Sequence, residues 1–283
     1  MATYPVRGMQ RILAGSITPS IRATLLDQDG DPVDAVGTLT CSIARADGTV
    51  VATDRATTDA TGAGVYTCAL TTAEASTLDV LTATWRISGV TRATTYHRTV
   101  GGFLFSIAQL ANRAGMQEFD VAELRAERDR VTDLFERCTG VVWSPQYDYD
   151  EREAPGRCHI ITHRPLRSLR SLTLDGVAQT VSTMYLDQAA GIIDARFTVC
   201  GRMTIGVEHG FDQPTADLRD AALTVAADRL LRESSTLGSR TRSMTNDLGV
   251  TQQFSYAGKD HPTGIDEVDA VLADHDFRDP GLA

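Results

Sequence analysis

At Gly101-Gly102 the spacing of apolar residues changes from a period of two to a period near 3.6, and one uniform architecture does not accommodate both. The chain therefore reads as multidomain, in keeping with its 283 residues at roughly 100 to 200 per domain. Ahead of the glycines, residues 21–26, 39–44, 64–70, 81–87 and 92–100 form short alternating or Thr/Val-rich runs. Between them stand Asp27-Gln28-Asp29-Gly30-Asp31-Pro32 and Ala46-Asp47-Gly48, residues that tolerate positive φ and cap reversals through side-chain oxygens. This is the pattern of an antiparallel sandwich over residues 1–102.

Within it, Tyr66 stands two residues before Cys68 in Gly64-Val65-Tyr66-Thr67-Cys68, which resembles the tyrosine corner of immunoglobulin-like domains. Two features depart from the antibody pattern: Cys41 is close to Cys68 in sequence, and Trp85 follows both cysteines. The resemblance implies an all-β Ig-like sandwich and leaves a Cys41–Cys68 bridge open. The five cysteines are odd in number and carry no C-x-x-C pair, which fits neither a zinc ribbon nor a disulfide framework.

After the glycines, Ser106 precedes Ile107-Ala108-Gln109-Leu110-Ala111 as an N-cap, with Gly115 as the stop. Asp120 and Glu123 form a capping-box pair. Val121, Leu124, Val131, Leu134, Phe135 and Cys138 then make an apolar face that Gly140 ends. Residues 142–156, with Pro145, Pro155 and an acidic run, read as a linker. Strands are expected at 158–162, 169–174, 182–186, 192–196 and 203–208, with Asp175-Gly176 as a hairpin turn. An Ala-rich helix over 216–232, buried on most sides, follows Pro214-Thr215. Residues 234–264 read as an extended arm with a strand at 250–256, and 265–273 as a last short helix. The expected second domain, 103–283, is thus an α+β helical domain with a small antiparallel β element.

Several chemistries find no support. With 27 basic against 37 acidic residues the net charge is −10, which disfavours gripping a phosphate backbone. Lys259 is the single lysine, so the arginines reflect a composition skew more than a phosphate site. No apolar run approaches the roughly 18 residues of a membrane span, and residues 1–12 are too short and too broken by Arg7 and Arg11 for a signal peptide. His159 and His163 would stand about 13 Å apart on one strand face, too far to share an ion. Asp27, Asp29 and Asp31 lack the glycine placement of a calcium loop. Phosphate-loop, dinucleotide, acyl-transfer and zinc-protease signatures are missing, so no catalytic residue, metal or cofactor is assigned. Trp85 reads as core, and Trp143 as either pinning the linker or meeting a neighbour.

The second domain resembles the head-to-tail connector, or adaptor, proteins of long-tailed bacteriophages. The segments that carry this are Ser171-Leu172-Thr173-Leu174-Asp175-Gly176-Val177, Tyr185-Leu186-Asp187, Gly191-Ile192-Ile193, Met203-Thr204-Ile205-Gly206-Val207-Glu208-His209-Gly210-Phe211, and Pro214-Thr215-Ala216-Asp217-Leu218-Arg219-Asp220-Ala221-Ala222-Leu223, in that order. The resemblance implies a virion structural protein at the capsid–tail junction, made in the host cytoplasm and forming a ring, typically of twelve copies. Its expected partners are the portal protein, a tail-side stopper or tail-terminator protein, and the major capsid protein, with DNA passing through unbound. A closed ring needs two complementary faces per subunit, and Arg125, Arg128, Asp129 and Asp133 are candidates for one. Phe254, Tyr256, Val271, Leu272 and Phe277 are candidate anchors for portal or neighbouring subunits. The Ig-like part departs from the minimal family pattern. A different reading makes the chain an Ig-like adhesion or glycan-binding module, which requires an exposed aromatic platform on residues 16–100.

Overall fold

The computed structural model describes residues 9–60, 62–234, 243–245, 251–253 and 262–277. It is a β-rich, multidomain protein, 40% strand and 23% helix, and it divides into two compact units. Unit 1 comprises Met1–Gly102 and Ser144–Asp212, and unit 2 comprises Phe103–Trp143 and Gln213–Ala283. Residue 102, the expected boundary, ends the first segment of unit 1, but the chain re-enters that unit at Ser144.

In unit 1 the first segment carries β1 (Gln10–Leu13), β2 (Ser20–Thr24), β3 (Leu39–Arg45), β4 (Val50–Ala56), β5 (Thr58–Asp59), β6 (Val65–Ala69), β7 (Asp79–Ile87) and β8 (Val90–Val100). They form one sheet in the order β1-β8-β7-β3-β4 and another in the order β2-β6-β5. Alternate residues of each strand face one shared core: Ile21 and Ala23 of β2, Cys41 and Ile43 of β3, Tyr66 and Cys68 of β6, Leu81, Ala83 and Trp85 of β7. Each large apolar side chain buried here contributes about 1.5–3 kcal/mol. Cys41 and Cys68 are unbridged thiols. A hydrogen bond to Cys68, with burial, pushes the Cys41 thiol far up. Three strands of this segment escaped the sequence pattern, the two-residue β5 among them. β1 pairs in parallel with β8, and β4 is a mostly exposed edge strand without clean alternation.

The second segment of unit 1 opens with a correction. The expected linker holds β9 (Gln146–Glu153), whose eight residues pair along β15. Its Tyr147 packs with Met9, Ala46 and Val80, which explains why contacts join this segment to the first. β10 (Arg157–Ile161), β11 (Leu166–Leu174), β12 (Val177–Ala178), β13 (Tyr185–Asp187), β14 (Ile192–Val199) and β15 (Arg202–His209) follow. They make a four-stranded sheet, β12-β11-β15-β9, and a three-stranded sheet, β10-β14-β13. Both bury one core containing Ile160, Leu166, Leu172, Ile193, Met203 and Ile205. Asp175 and Gly176 both adopt positive φ, as the hairpin turn requires. The strand expected at 182–186 is shorter, because Val181–Thr183 forms a 3-10 turn in which the Thr183 hydroxyl donates to the Thr180 carbonyl.

Unit 2 is built from α1 (Ile107–Ala111), α2 (Val121–Thr139), α3 (Ala216–Ser234), the strand pair β16 (Ser243–Thr245) and β17 (Thr251–Gln253), and α4 (Asp266–Asp274). The expected capping box of Asp120 with Glu123 forms, and the Ser106 N-cap proves to be a second one, with Gln109. Gly140 caps α2 in the left-handed region and donates its N–H to the Glu136 carbonyl. α1 stops earlier than Gly115, at an Asn112 cap. The helices pack on one another through Leu110, Leu124, Val131, Phe135, Leu218, Ala222, Leu230, Val268 and Leu272, all buried. Among the described residues no helix is long and apolar enough to cross a membrane.

Candidate functional site

Two places gather ionisable and aromatic side chains, one in each unit. In unit 1, Arg98 of β8 donates through Nη1 to Gln146 Oε1 at 2.7 Å and through Nη2 to Asp148 Oδ1 at 2.9 Å. The other Asp148 oxygen meets His209 Nε2 at 2.8 Å, and the His163 ring stacks on His209 with centroids 4.7 Å apart. The β9–β15 register sets this up, since His209 lies opposite Gln146 and Val207 opposite Asp148. Burial alone would raise the Asp148 carboxyl, but Arg98 and His209 outweigh it and hold the group well below the usual carboxylate range. His163 lies beyond the end of β10, so it joins this cluster instead of sharing a strand face with His159. Among the described residues no hydroxyl or thiol stands at hydrogen-bond distance from either imidazole, so the cluster is an ionic lock and not a nucleophile–base pair, and it leaves His209 Nδ1 and Arg98 Nε buried without a hydrogen-bond partner.

In unit 2 the α2 residues proposed for subunit contact fall on different faces. Arg125 is exposed, and Asp129 and Asp133 are half-buried. Arg128 is buried: its guanidinium covers the Phe103 ring at 3.4 Å from the centroid and donates to Asp129 Oδ1 from Nε and Nη2, the latter at 2.9 Å. Arg128 and Asp129 thus meet inside the unit, because position 128 lies with Leu124, Val131 and Phe135 on the buried side of the helix. Sequence reasoning passed over Glu127, the buried neighbour of that stripe, which pairs with Arg130 at 3.3 Å and with Arg229 of α3 at 2.8 Å. The signal for both was helical spacing, which puts position 127 three residues after Leu124 and position 128 four after it.

The candidate anchors behave unequally. Leu272 is buried in the helix packing, Val271 is half-buried, and Phe277 is 42% exposed. Phe254 and Tyr256 lie outside the described residues. The Phe277 N–H donates to the Thr139 carbonyl at 2.8 Å, and its ring meets the buried Trp143 edge-on at 6.1 Å. Trp143 in turn donates its indole N–H to Thr139 Oγ1 at 3.0 Å and packs edge-on against His275 at 5.5 Å. Of the two expectations for Trp143, this is pinning, by the end of α2 and the residues after α4. His275 Nε2 also lies 2.9 Å from Asp217 Oδ2. Thr215 and His275 together draw the Asp217 carboxyl down to about 2. The acidic turn at Asp27 is a side-chain-capped reversal, with Asp27 Oδ1 accepting the N–H groups of Asp29 and Asp31 at 2.9 Å.

Compared with known proteins, the sequence matches no family model and no curated protein.

Proposed function

We propose that this protein is a virion structural protein that assembles as a ring, of twelve copies, between the portal vertex and the tail and extends the DNA channel. The observation that carries the reading is the order of elements after Gly102. Two capped helices lead into an antiparallel sheet, and the segments that resemble the connector family fall in turn on the β11–β12 hairpin, β13, β14, β15 and the helix that opens after Pro214. A strand-paired arm and a terminal helix complete it. The net charge of −10 suits a conduit wall, since like charge lets a phosphate backbone slide where a basic surface would hold it. Arg125 and the exposed ring of Phe277 are the candidate contact residues that the described fold leaves at the surface.

We read the first segment of unit 1 as an Ig-like sandwich attached to this connector. Supporting that, the Tyr66 hydroxyl accepts the Ala35 N–H at 2.8 Å, the kind of backbone tie a tyrosine corner makes. An adhesion or glycan-binding role is less well supported, because Tyr66 and Trp85 are buried and Tyr96 is half-buried, and these are the aromatic residues of the described segment 9–100. Cryo-electron microscopy of the protein mixed with portal assemblies tests the proposal. A ring of this mass stacked on the portal supports it. A free monomer that ignores portal overturns it and shifts the weight to a binding module, for which a glycan array is the next measurement.

A further inference from the structure

We propose that Cys158, His159 and Asp194 form a binding site for a zinc-class divalent cation across the β10–β14 strand pair, independent of the assembly role above. The site owes its existence to an irregularity of the backbone. Neighbours in a regular strand point to opposite faces, so Cys158 and His159 should not meet. Here the register slips around Cys158: Arg157 lies opposite Val199 while His159 lies opposite Asp194, so two steps along β10 span five along β14. A bulge of this kind re-aims side chains. It leaves the Cys158 sulfur 3.6 Å from His159 Nδ1.

The third ligand comes from across the ladder. Asp194, the direct partner of His159, has Oδ1 held by the Arg196 N–H at 2.9 Å, at an irregular point within β14 where Arg196 takes a φ of 61°. One ligand atom from each of the three residues lies within 4.8 Å of the other two. A tetrahedral zinc ion, with Zn–S near 2.3 Å and Zn–N near 2.0–2.1 Å, places sulfur and nitrogen about 3.6 Å apart. The sulfur sits beside the imidazole, 4.0 Å from Nε2 as well, so a turn about the broad χ2 torsion aims one nitrogen at the shared ion. His159 is exposed and has room to turn.

Chemistry selects the ion. Thiolate, imidazole and carboxylate together match zinc, whereas calcium and magnesium take oxygen alone. A Cys–His–Asp catalytic relay fits less well, because the imidazole would have to bridge the other two groups in line, and the sulfur instead flanks both ring nitrogens. Three protein ligands leave one position open to water, and the bound ion would staple β10 to β14 where their ladder is broken.

The test uses the purified full chain and cobalt(II) alone, followed by displacement with zinc. The expected result is saturable one-to-one binding with a thiolate-to-cobalt charge-transfer band that zinc removes. Cys158→Ser should abolish the band, and His159→Ala and Asp194→Asn should each weaken binding by about tenfold or more. Cys200→Ser, which removes an exposed thiol elsewhere, should leave the band unchanged. Zinc should also raise the midpoint of thermal unfolding in the parent chain and in Cys200→Ser but not in His159→Ala, a readout that holds even if one variant folds poorly. Absence of a saturable band, or a band that survives Cys158→Ser or vanishes in Cys200→Ser, overturns the proposal.

Discussion

Arg98 and Asp148 belong to different segments of unit 1, yet the guanidinium donates to the carboxylate at 2.9 Å and the pair is closed by His209 on the far oxygen. The Asp148 side chain is 24% exposed, so removing the arginine leaves a partly buried carboxylate without its main partner. We expect Arg98→Leu to lower stability by about 3 kcal/mol in urea unfolding. The depressed carboxyl also fixes a sign: its stabilisation is complete above about pH 4 and is lost as pH falls further, so the variant should show a shallower loss in acid.

His97 on β8 gives a second titration, of the same sign but beginning at a higher pH. Burial lowers its imidazole to about 3, below the ordinary value near 6.5, so the folded protein holds it neutral while the unfolded chain takes up a proton. Stability should therefore be independent of this group above about pH 6.5 and fall by about 1.4 kcal/mol per pH unit below it. Between about pH 7.5 and about pH 5, His97→Gln should lose about 2 kcal/mol less than the parent chain in urea unfolding. Equal losses in the two proteins would contradict the assignment.

Gly64 is constrained by space as well as by its φ of 70°. A Cβ there would lie 2.7 Å from the Val33 nitrogen and 2.9 Å from the Leu25 oxygen, both main-chain atoms. Gly30, at φ 89°, has nothing within 4 Å. Gly30→Ala should cost about 1–2 kcal/mol from backbone conformation alone, and Gly64→Ala clearly more, as paired thermal unfolding curves will show.

At the end of α2, Thr139 Oγ1 accepts the Trp143 indole N–H and donates to the Phe135 carbonyl at 2.9 Å. Thr139→Val strands a buried donor and should cost about 1–3 kcal/mol, with a change in Trp143 fluorescence. Phe277→Ala, by contrast, trims a 42% exposed ring and should leave the fold intact while weakening capture of portal in a pull-down. Unchanged capture would remove Phe277 from the proposed contact surface. Deleting residues 264–283 is the poorer experiment, since it takes away the buried Val268 and Leu272.

What the chain announces about its fold is mostly local chemistry. The N-cap at Ser106, the capping box at Asp120, the Gly140 stop and the Asp175-Gly176 turn are each written within a few residues, and each formed. β9 was hidden because Pro145, Pro155 and its acidic residues outweighed the Tyr147/Tyr149 alternation that marks its packed side. Arg128 was misplaced for a related reason: charge suggested solvent, whereas helical spacing placed it inward over Phe103. Neither the Arg98–Asp148–His209 lock nor the Cys158–His159–Asp194 group was legible. Both depend on which residues stand opposite one another across a ladder, and the second on where that ladder slips.

The split of unit 1 between Met1–Gly102 and Ser144–Asp212 has a consequence for how the protein is made. A ribosome delivers the first eight strands, then α1 and α2, and only afterwards the strand whose Tyr147 covers Met9, Ala46 and Val80. Until β9 emerges and docks, that apolar patch stays open to water, and closure must span the whole helical insertion at an entropic cost that grows slowly with its length. Nascent chains stalled after Trp143 should therefore be more readily cleaved by protease in residues 9–100 than chains stalled well beyond Asp212, so the last steps in forming unit 1 wait on the end of its second segment.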